Sequence, residues 1–144
     1  MRSLGIDHGE KRIGIAVSDP TGTLARPLTI LQHKSRAADI ARVLQFVEMH
    51  SVDLIVVGQS TNEAGAPNMA GRRALHFAES LKRASSIPVV TWDESLSTQD
   101  ARAIRLRAGV PRKKRARAVD ASAAAVMLQS FLDSGDAARA DDRT

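Results

Sequence analysis

Three carboxylates in the sequence are candidate metal ligands: Asp7, Glu94 and Asp120. Asp120 is the most informative, because at helical spacing it shares a stripe with four apolar residues that must pack inward. These residues are Ala124, Met127, Leu128 and Phe131. An ionised carboxylate buried without a partner is strongly destabilising, so Asp120 should be paired, protonated, capping a helix or bound to a cation.

Each of the three acids also has an ordinary structural explanation. Asp120 can pair with Arg117 one turn earlier, Asp7 before His8-Gly9 is typical of a hairpin turn, and Glu94 can cap a following helix. Their joint position favours metal binding, because acids at one sheet edge repel each other unless a cation neutralises them. Mg²⁺ or Mn²⁺ fits carboxylate ligands, and two such ions about 3.5 to 4 Å apart can activate water against a phosphodiester.

A basic cluster lies next to Asp120. The segment between Asp100 and Asp120 holds eight Lys or Arg residues and no acid, which leaves 13 basic against 16 acidic residues elsewhere. This distribution favours a polyanionic partner over a merely solvated helix end, since cations near a helix N-terminus are destabilising by ~0.3 to 1 kcal/mol each. The residues expected to contact phosphates are Arg112, Lys113, Lys114, Arg115 and Arg117.

The composition excludes several other classes of protein. The 144 residues contain no cysteine and four histidines, so disulfide frameworks, thiolate nucleophiles and all-imidazole metal sites are not expected. With 3% aromatic residues and no tyrosine, recognition by base stacking is disfavoured. No apolar run approaches the ~20 residues that span a bilayer, so we expect a cytoplasmic protein with no membrane partner.

The hydrophobic pattern predicts an α/β fold with elements in the order βββαβαβαα. The first two strands form a hairpin around residues 8–11, and the third, near residues 24–31, contains Pro27 and suits a sheet edge. Buried strands are expected at 53–58 and 87–92. Together they predict a five-stranded mixed sheet, with its first, fourth and fifth strands parallel and helices on both faces.

Four helices complete the prediction. The first follows the N-cap Ser35, and the second has an inner stripe from Ala70 to Leu81. The third is expected over 97–109 and the last from about Lys113 to Leu132. Residues 1–133 should form one domain, followed by a flexible tail over 134–144.

The sheet explains how the acids come together. Sites form beyond the carboxyl ends of parallel strands, where Asp7, the loop after Gly58, and Asp93-Glu94 are expected. His8 should point to the face of its strand opposite Asp7, and we expect the other three histidines to be solvated. These are His33, His50 and His76.

Several motifs together resemble the YqgF family, and the resemblance runs from Met1 to about Asp133. The family is known as Holliday junction resolvases and as nucleases of precursor 16S rRNA. The matching segments are Leu4-Gly5-Ile6-Asp7-His8-Gly9, Lys11-Arg12-Ile13-Gly14, Ile55-Val56-Val57-Gly58, Asp93-Glu94 with Ser97-Thr98, and Arg112-Lys113-Lys114 with Val119-Asp120-Ala121. The chain departs from the family pattern at Gln59-Ser60 and at Ser95.

The resemblance implies an RNase H-like fold related to RuvC resolvases. It implies that Asp7, Glu94 and Asp120 form the metal-binding acidic triad. It further implies a role in maturation of the 5′ end of precursor 16S rRNA, with Lys11, Arg12 and Asn62 among the nucleic-acid contacts. The partners would then be structured RNA and ribosomal assembly particles.

The leading hypothesis is a nuclease that uses two Mg²⁺ or Mn²⁺ ions, with Asp7 bridging them. Resolution of branched DNA is the alternative within that class; it requires a two-fold dimer, whereas the sequence suggests a monomer or weak homodimer. A non-catalytic nucleic-acid-binding module would use the basic cluster alone. A phosphate-binding ATPase, suggested by the glycines around Asp7, is disfavoured because such enzymes close two domains around the nucleotide.

Overall fold

The computed structural model describes residues 1–60, 68–93 and 121–135. Its strands are β1 (Ser3–His8), β2 (Arg12–Ser18), β3 (Ala25–Gln32), β4 (Leu54–Gln59) and β5 (Val89–Asp93). Its helices are α1 (Arg36–Met49), α2 (Met69–Ala84) and α3 (Ala121–Asp133). The helix predicted at 97–109, the start of the last predicted helix and most of the predicted tail lie outside these residues.

The strands form one mixed sheet in the order β3-β2-β1-β4-β5. The central strand β1 is antiparallel to β2 and parallel to β4, which is in turn parallel to β5. The prediction of a hairpin, an edge strand and two parallel crossovers is therefore confirmed. Pro27 lies in edge strand β3 and is paired with Ala16 of β2. The register of this strand pair shifts between Ile15 and Ala16, so the missing proline N–H is accommodated at an irregularity.

Helices cover both faces of the sheet, because each face of the central strands is apolar. On one face, α1 and α2 pack over a core that includes Leu4, Ile6 and Phe77. On the other face, α3 packs through Leu128 and Phe131 against strand residues of a second core. Gly5 permits this approach, since a Cβ at that position would lie 2.9 Å from Leu128 Cβ.

The predicted helix starts and stripes are largely confirmed. Ser35 caps α1 by accepting a hydrogen bond from the Ala38 backbone N–H at 3.1 Å. The inner stripe of α2 begins with Gly71, which is buried, whereas the predicted Ala70 is only half-buried. None of the helices in the described ranges is long and apolar enough to cross a membrane.

Candidate functional site

Asp7 is the described member of the predicted acidic triad. It lies near the carboxyl end of β1 and is only 7% exposed. Asp7 pairs with Gly14 of β2, and because Ile6 pairs with Val57, Asp7 is level with Gly58 of β4. The neighbouring sheet positions on both sides of Asp7 therefore carry no side chain.

The face on which Asp7 lies follows from strand alternation. Gly5 and Asp7 share a face of β1, and Gly5 packs directly beneath Leu128 of α3. Asp7 therefore lies on the α3 face of the sheet, just beyond the point where apolar packing ends. A carboxylate in this position is shielded from water while remaining at the end of the sheet where ligands bind in open α/β folds.

The direction of α3 brings its N-terminal end to the same edge. The Gln129 side chain accepts a hydrogen bond from the backbone N–H of Ala25, the first residue of β3, at 2.9 Å. That end of β3 is opposite the Asp7 end of the sheet, whereas the Ala124 carbonyl lies over Gly5. The helix start at Ala121 therefore points toward the carboxyl end of β1.

Strand β5 lies beside the site, next to β4. Trp92 pairs with Gly58, so it shares the sheet face of Asp7, while Asp93 pairs with Gln59 one position further. The indole N–H of Trp92 donates to Ser130 Oγ at 3.2 Å, which ties β5 to α3. Strand alternation places Asp93 on the face opposite Trp92, which is the face away from Asp7.

Most of the other predicted site residues lie outside the described ranges. These residues are Glu94, Asp120, Asn62, Arg112, Lys113, Lys114, Arg115 and Arg117. Within residues 1–60, 68–93 and 121–135, no three His, Asp or Glu side chains are grouped to hold a metal ion. Lys11 and Arg12 are described, exposed, and placed at the β1–β2 turn, which is at the Asp7 end of the sheet.

His8 points away from Asp7, as predicted. Its ring packs against Phe77 of the opposite core, with centroids 4.7 Å apart. Burial lowers the pKa of His8, and the charges of His33 and Arg73 lower it further, against an opposing effect of Asp39. Because this ring is on the α1 and α2 face, His8 is not placed to share a ligand with Asp7.

Asp39 of α1 is a second buried carboxylate, 0% exposed, that was not among the residues predicted from the sequence. Asp39 Oδ2 lies 2.5 Å from His33 Nδ1, while Oδ1 accepts from the Lys34 backbone N–H at 3.1 Å and from Arg42 Nη2 at 2.5 Å. Burial acts to raise the pKa of Asp39, but the hydrogen bonds from His33, Lys34 and Arg42 hold it below its usual value. The available signal was the one used for Asp120, because Asp39 shares an inward stripe with Val43.

The prediction that these histidines are solvated is confirmed for His33, whose side chain is 41% exposed, but not for His50. His33 bonds to the buried carboxylate of Asp39, since that acid requires a partner. His50 is half-buried, and its ring stacks with Phe46 at a centroid distance of 6.3 Å. His76 is exposed, as expected.

One departure from the family pattern has a local structural role. Ser60 Oγ accepts a hydrogen bond from the Asn68 side-chain amide at 2.8 Å. Asn68 is itself the N-cap of α2 and accepts from the Gly71 backbone N–H. Ser60 therefore fixes the start of α2 relative to the end of β4, at the Asp7 end of the sheet.

The fold is shared with RuvC-type Holliday junction resolvases. The T. thermophilus RuvC in complex with Holliday junction substrate superposes with a TM-score of 0.62 and 17% identity, covering 95% of this chain and 96% of that one. The fowlpox virus resolvase, also solved with Holliday junction DNA, gives a TM-score of 0.55 with 11% identity over 93% of this chain and 98% of that one. The chain thus has the RNase H-like fold of these resolvases.

Sequence similarity then identifies the family. Residues 1–134 match RuvX, described as Holliday junction resolvase, and the chain belongs to this family. A protein of Thermoanaerobacter pseudethanolicus named "Putative pre-16S rRNA nuclease" is 39% identical over 93% of this chain and 97% of its own length. A relative of the same name in Desulforamulus reducens is 41% identical over 94% of this chain and 98% of its own. The family assignment makes the chain a nuclease that acts on nucleic acid, and nucleases of this fold generally need divalent metal ions.

Proposed function

We propose that this chain hydrolyses phosphodiester bonds at a site formed by Asp7, Glu94 and Asp120, which hold two Mg²⁺ or Mn²⁺ ions. The observation that carries the proposal is Asp7 itself, a shielded carboxylate at the end of the central strand, flanked in the sheet by glycines. Oxygen ligands of this kind suit hard divalent cations. Glu94 follows the last residue of β5, and Asp120 directly precedes Ala121.

The chain's own residues have distinct roles in this proposal. Asp7, Glu94 and Asp120 would hold the ions through their carboxylate oxygens. When bound, the ions supply Lewis-acid activation of water and stabilise the leaving oxygen. The cluster from Arg112 to Arg117 binds backbone phosphates and orients the scissile bond, since phosphate contacts position a nucleic acid without specifying its sequence.

We further propose that the substrate is the 5′ segment of precursor 16S rRNA, presented by ribosomal assembly particles in the cytoplasm. Support comes from the relatives named for that activity, which match this chain over nearly their whole length. The chain would act as a monomer or weak homodimer. The low aromatic content, 3%, is consistent with contacts to RNA phosphates rather than to stacked bases.

Holliday junction resolution is the second candidate activity. The family description and the junction complexes of two structural neighbours favour it. Symmetric cutting of a junction requires two active sites related by a two-fold axis. A dimer that forms on a four-way junction and cuts it in paired positions would therefore favour resolution over RNA processing.

The test compares wild type and Asp7→Asn on a precursor rRNA 5′ segment and on a four-way DNA junction. Each substrate is incubated with Mn²⁺, with Mg²⁺ and with chelator. We expect metal-dependent cleavage of the RNA by wild type and a loss of at least about 1000-fold in Asp7→Asn, because the amide would remove a charged ligand from the metal site. The matched control is Asp133→Asn, an exposed residue at the far end of α3, which should retain wild-type activity.

Cleavage by Asp7→Asn at the wild-type rate would contradict the proposal. Binding of both substrates without cleavage by either protein would instead support a non-catalytic binding module. Cleavage of the junction alone would select resolution.

A further inference from the structure

The α1 face of the sheet carries a basic surface that the proposed catalytic site does not use. We define this α1 basic surface by the exposed side chains of His33, Lys34 and Arg36. His33 donates its backbone N–H to the Lys11 carbonyl at 2.8 Å, which places the surface directly beside the β1–β2 turn. It therefore lies at the Asp7 end of the sheet, but on the opposite face.

Buried Asp39 organises this surface. Its two carboxylate oxygens are bonded to His33, to the Lys34 backbone and to Arg42. With Nδ1 of His33 engaged, Nε2 is the remaining polar atom of a ring whose side chain is 41% exposed. Asp39 is thus paired internally and, among the described residues, forms no salt bridge with the exposed Lys34 and Arg36 side chains.

The exposed cations Lys34 and Arg36 do not have an evident stabilising role. Among the described residues, Lys34 and Arg36 make no ion pair with a carboxylate within 4.0 Å. Arg36 is also the first residue of α1, where the helix dipole disfavours a cation by ~0.3 to 1 kcal/mol. A positive charge at such an unfavourable position suggests that the side chain binds a ligand.

His8 is adjacent to Asp7 in β1 but on the other face of the strand. The α1 basic surface and Asp7 are therefore separated only by the end of the sheet, where Lys11 and Arg12 are exposed.

We propose that the α1 basic surface binds backbone phosphates of the same nucleic acid strand that is cleaved at Asp7. The strand would pass over the sheet end, contact Lys11 and Arg12, and continue onto Lys34 and Arg36. The path of the strand from Asp7 to this surface rests on the proposed function, whereas phosphate binding at the surface does not require cleavage. RNA and DNA share the phosphodiester chemistry that these cations recognise.

The experiment measures binding of a fluorescent precursor rRNA 5′ segment and of a DNA of the same sequence by anisotropy, in chelator so that no cleavage occurs. The test variant is Lys34→Ala/Arg36→Ala. At 0.1 M salt we expect roughly sixfold weaker binding per lost contact, because each phosphate contact releases about one counterion. For the two contacts that this variant removes, the Kd should be roughly 30-fold larger. The slope of log Kd against log salt should fall by about 2.

The matched control is Lys82→Ala/Arg83→Ala, which removes the same charge from the last turn of α2. This turn is distant from the start of α2, which Ser60 holds near the Asp7 end of the sheet. We expect its Kd to stay within about twofold of wild type. Equal losses in the two variants would show an effect of net charge alone and would overturn the proposal, as would a Lys34→Ala/Arg36→Ala Kd equal to that of wild type.

Folding and cleavage are measured in parallel. Both target side chains are exposed, so the melting temperature should stay within about 2 °C of wild type. If wild type cleaves while the variant binds normally, this inference alone fails. If wild type cleaves nothing but the variant still loses affinity, the proposed function fails and phosphate binding stands. If the variant loses more affinity for one nucleic acid than for the other, that difference identifies whether RNA or DNA contacts the surface.

Discussion

Asp7 and Asp39 are both carboxylates that the fold removes from water, but their surroundings give them different roles. Asp39 is enclosed by donors from His33, Lys34 and Arg42, which use both of its oxygens. Asp7 lies at the end of the central strand, at the edge of the sheet where ligands bind in open α/β folds. Asp39 therefore fits a structural role, whereas the position of Asp7 fits a candidate metal ligand.

The role of Asp39 predicts a loss of stability in Asp39→Asn. An amide cannot accept from His33 and Arg42 with a full negative charge, so both donors lose a charged partner. We expect the free energy of unfolding to fall by roughly 2 kcal/mol at pH 7, measured by urea denaturation. Unchanged stability would contradict a structural role for this acid.

The same substitution should show a defined pH dependence. The pKa of Asp39 is held below its usual value, so its ionised form contributes stability fully above the unfolded pKa of about 3.9. That contribution is lost as the pH falls through the lower folded pKa. The stability difference between wild type and Asp39→Asn should therefore be full at pH 7 and should shrink as the pH falls below about 3.9. A constant difference down to acid pH would exclude the charge as its cause.

At the scale of elements, the sheet was predictable because its strands alternate or are wholly apolar. The edge placement of β3 followed from Pro27, and the start of α1 followed from Ser35. The hydrogen bond between His33 and Asp39 was not predicted, because the acid is six residues further along the chain, in the first turn of α1, and becomes a neighbour only when that helix forms. For the same reason, the sequence proposes a set of candidate site residues but not their geometry.

The packing of α3 onto the sheet predicts that Gly5 does not tolerate a side chain. In Gly5→Ala the new Cβ would lie 2.9 Å from Leu128 Cβ and 3.4 Å from the Ala124 carbonyl, so the helix or strand must shift. We expect a loss of about 1 to 3 kcal/mol in urea denaturation. Because the start of α3 approaches Asp7, cleavage should fall by more than the loss of folded protein accounts for. Wild-type stability in this variant would contradict the close approach of α3.

At the scale of the whole molecule, the described residues place an acid and a group of exposed cations around one end of the sheet. Asp7 lies on the α3 face, the α1 basic surface lies on the other, and Lys11 and Arg12 lie between them. Cations attract a polyanion, and acids attract divalent ions. In our proposal, this end of the sheet therefore serves both metal binding and phosphate binding.

In our proposal Asp7 anchors a divalent-metal site, and titration calorimetry with Mn²⁺ measures binding at that site without any cleavage step. Wild type, Asp7→Asn and Asp133→Asn are titrated under identical conditions. We expect Mn²⁺ binding by wild type and Asp133→Asn, and at least about tenfold weaker binding by Asp7→Asn. Equal Mn²⁺ affinity in all three proteins would contradict it.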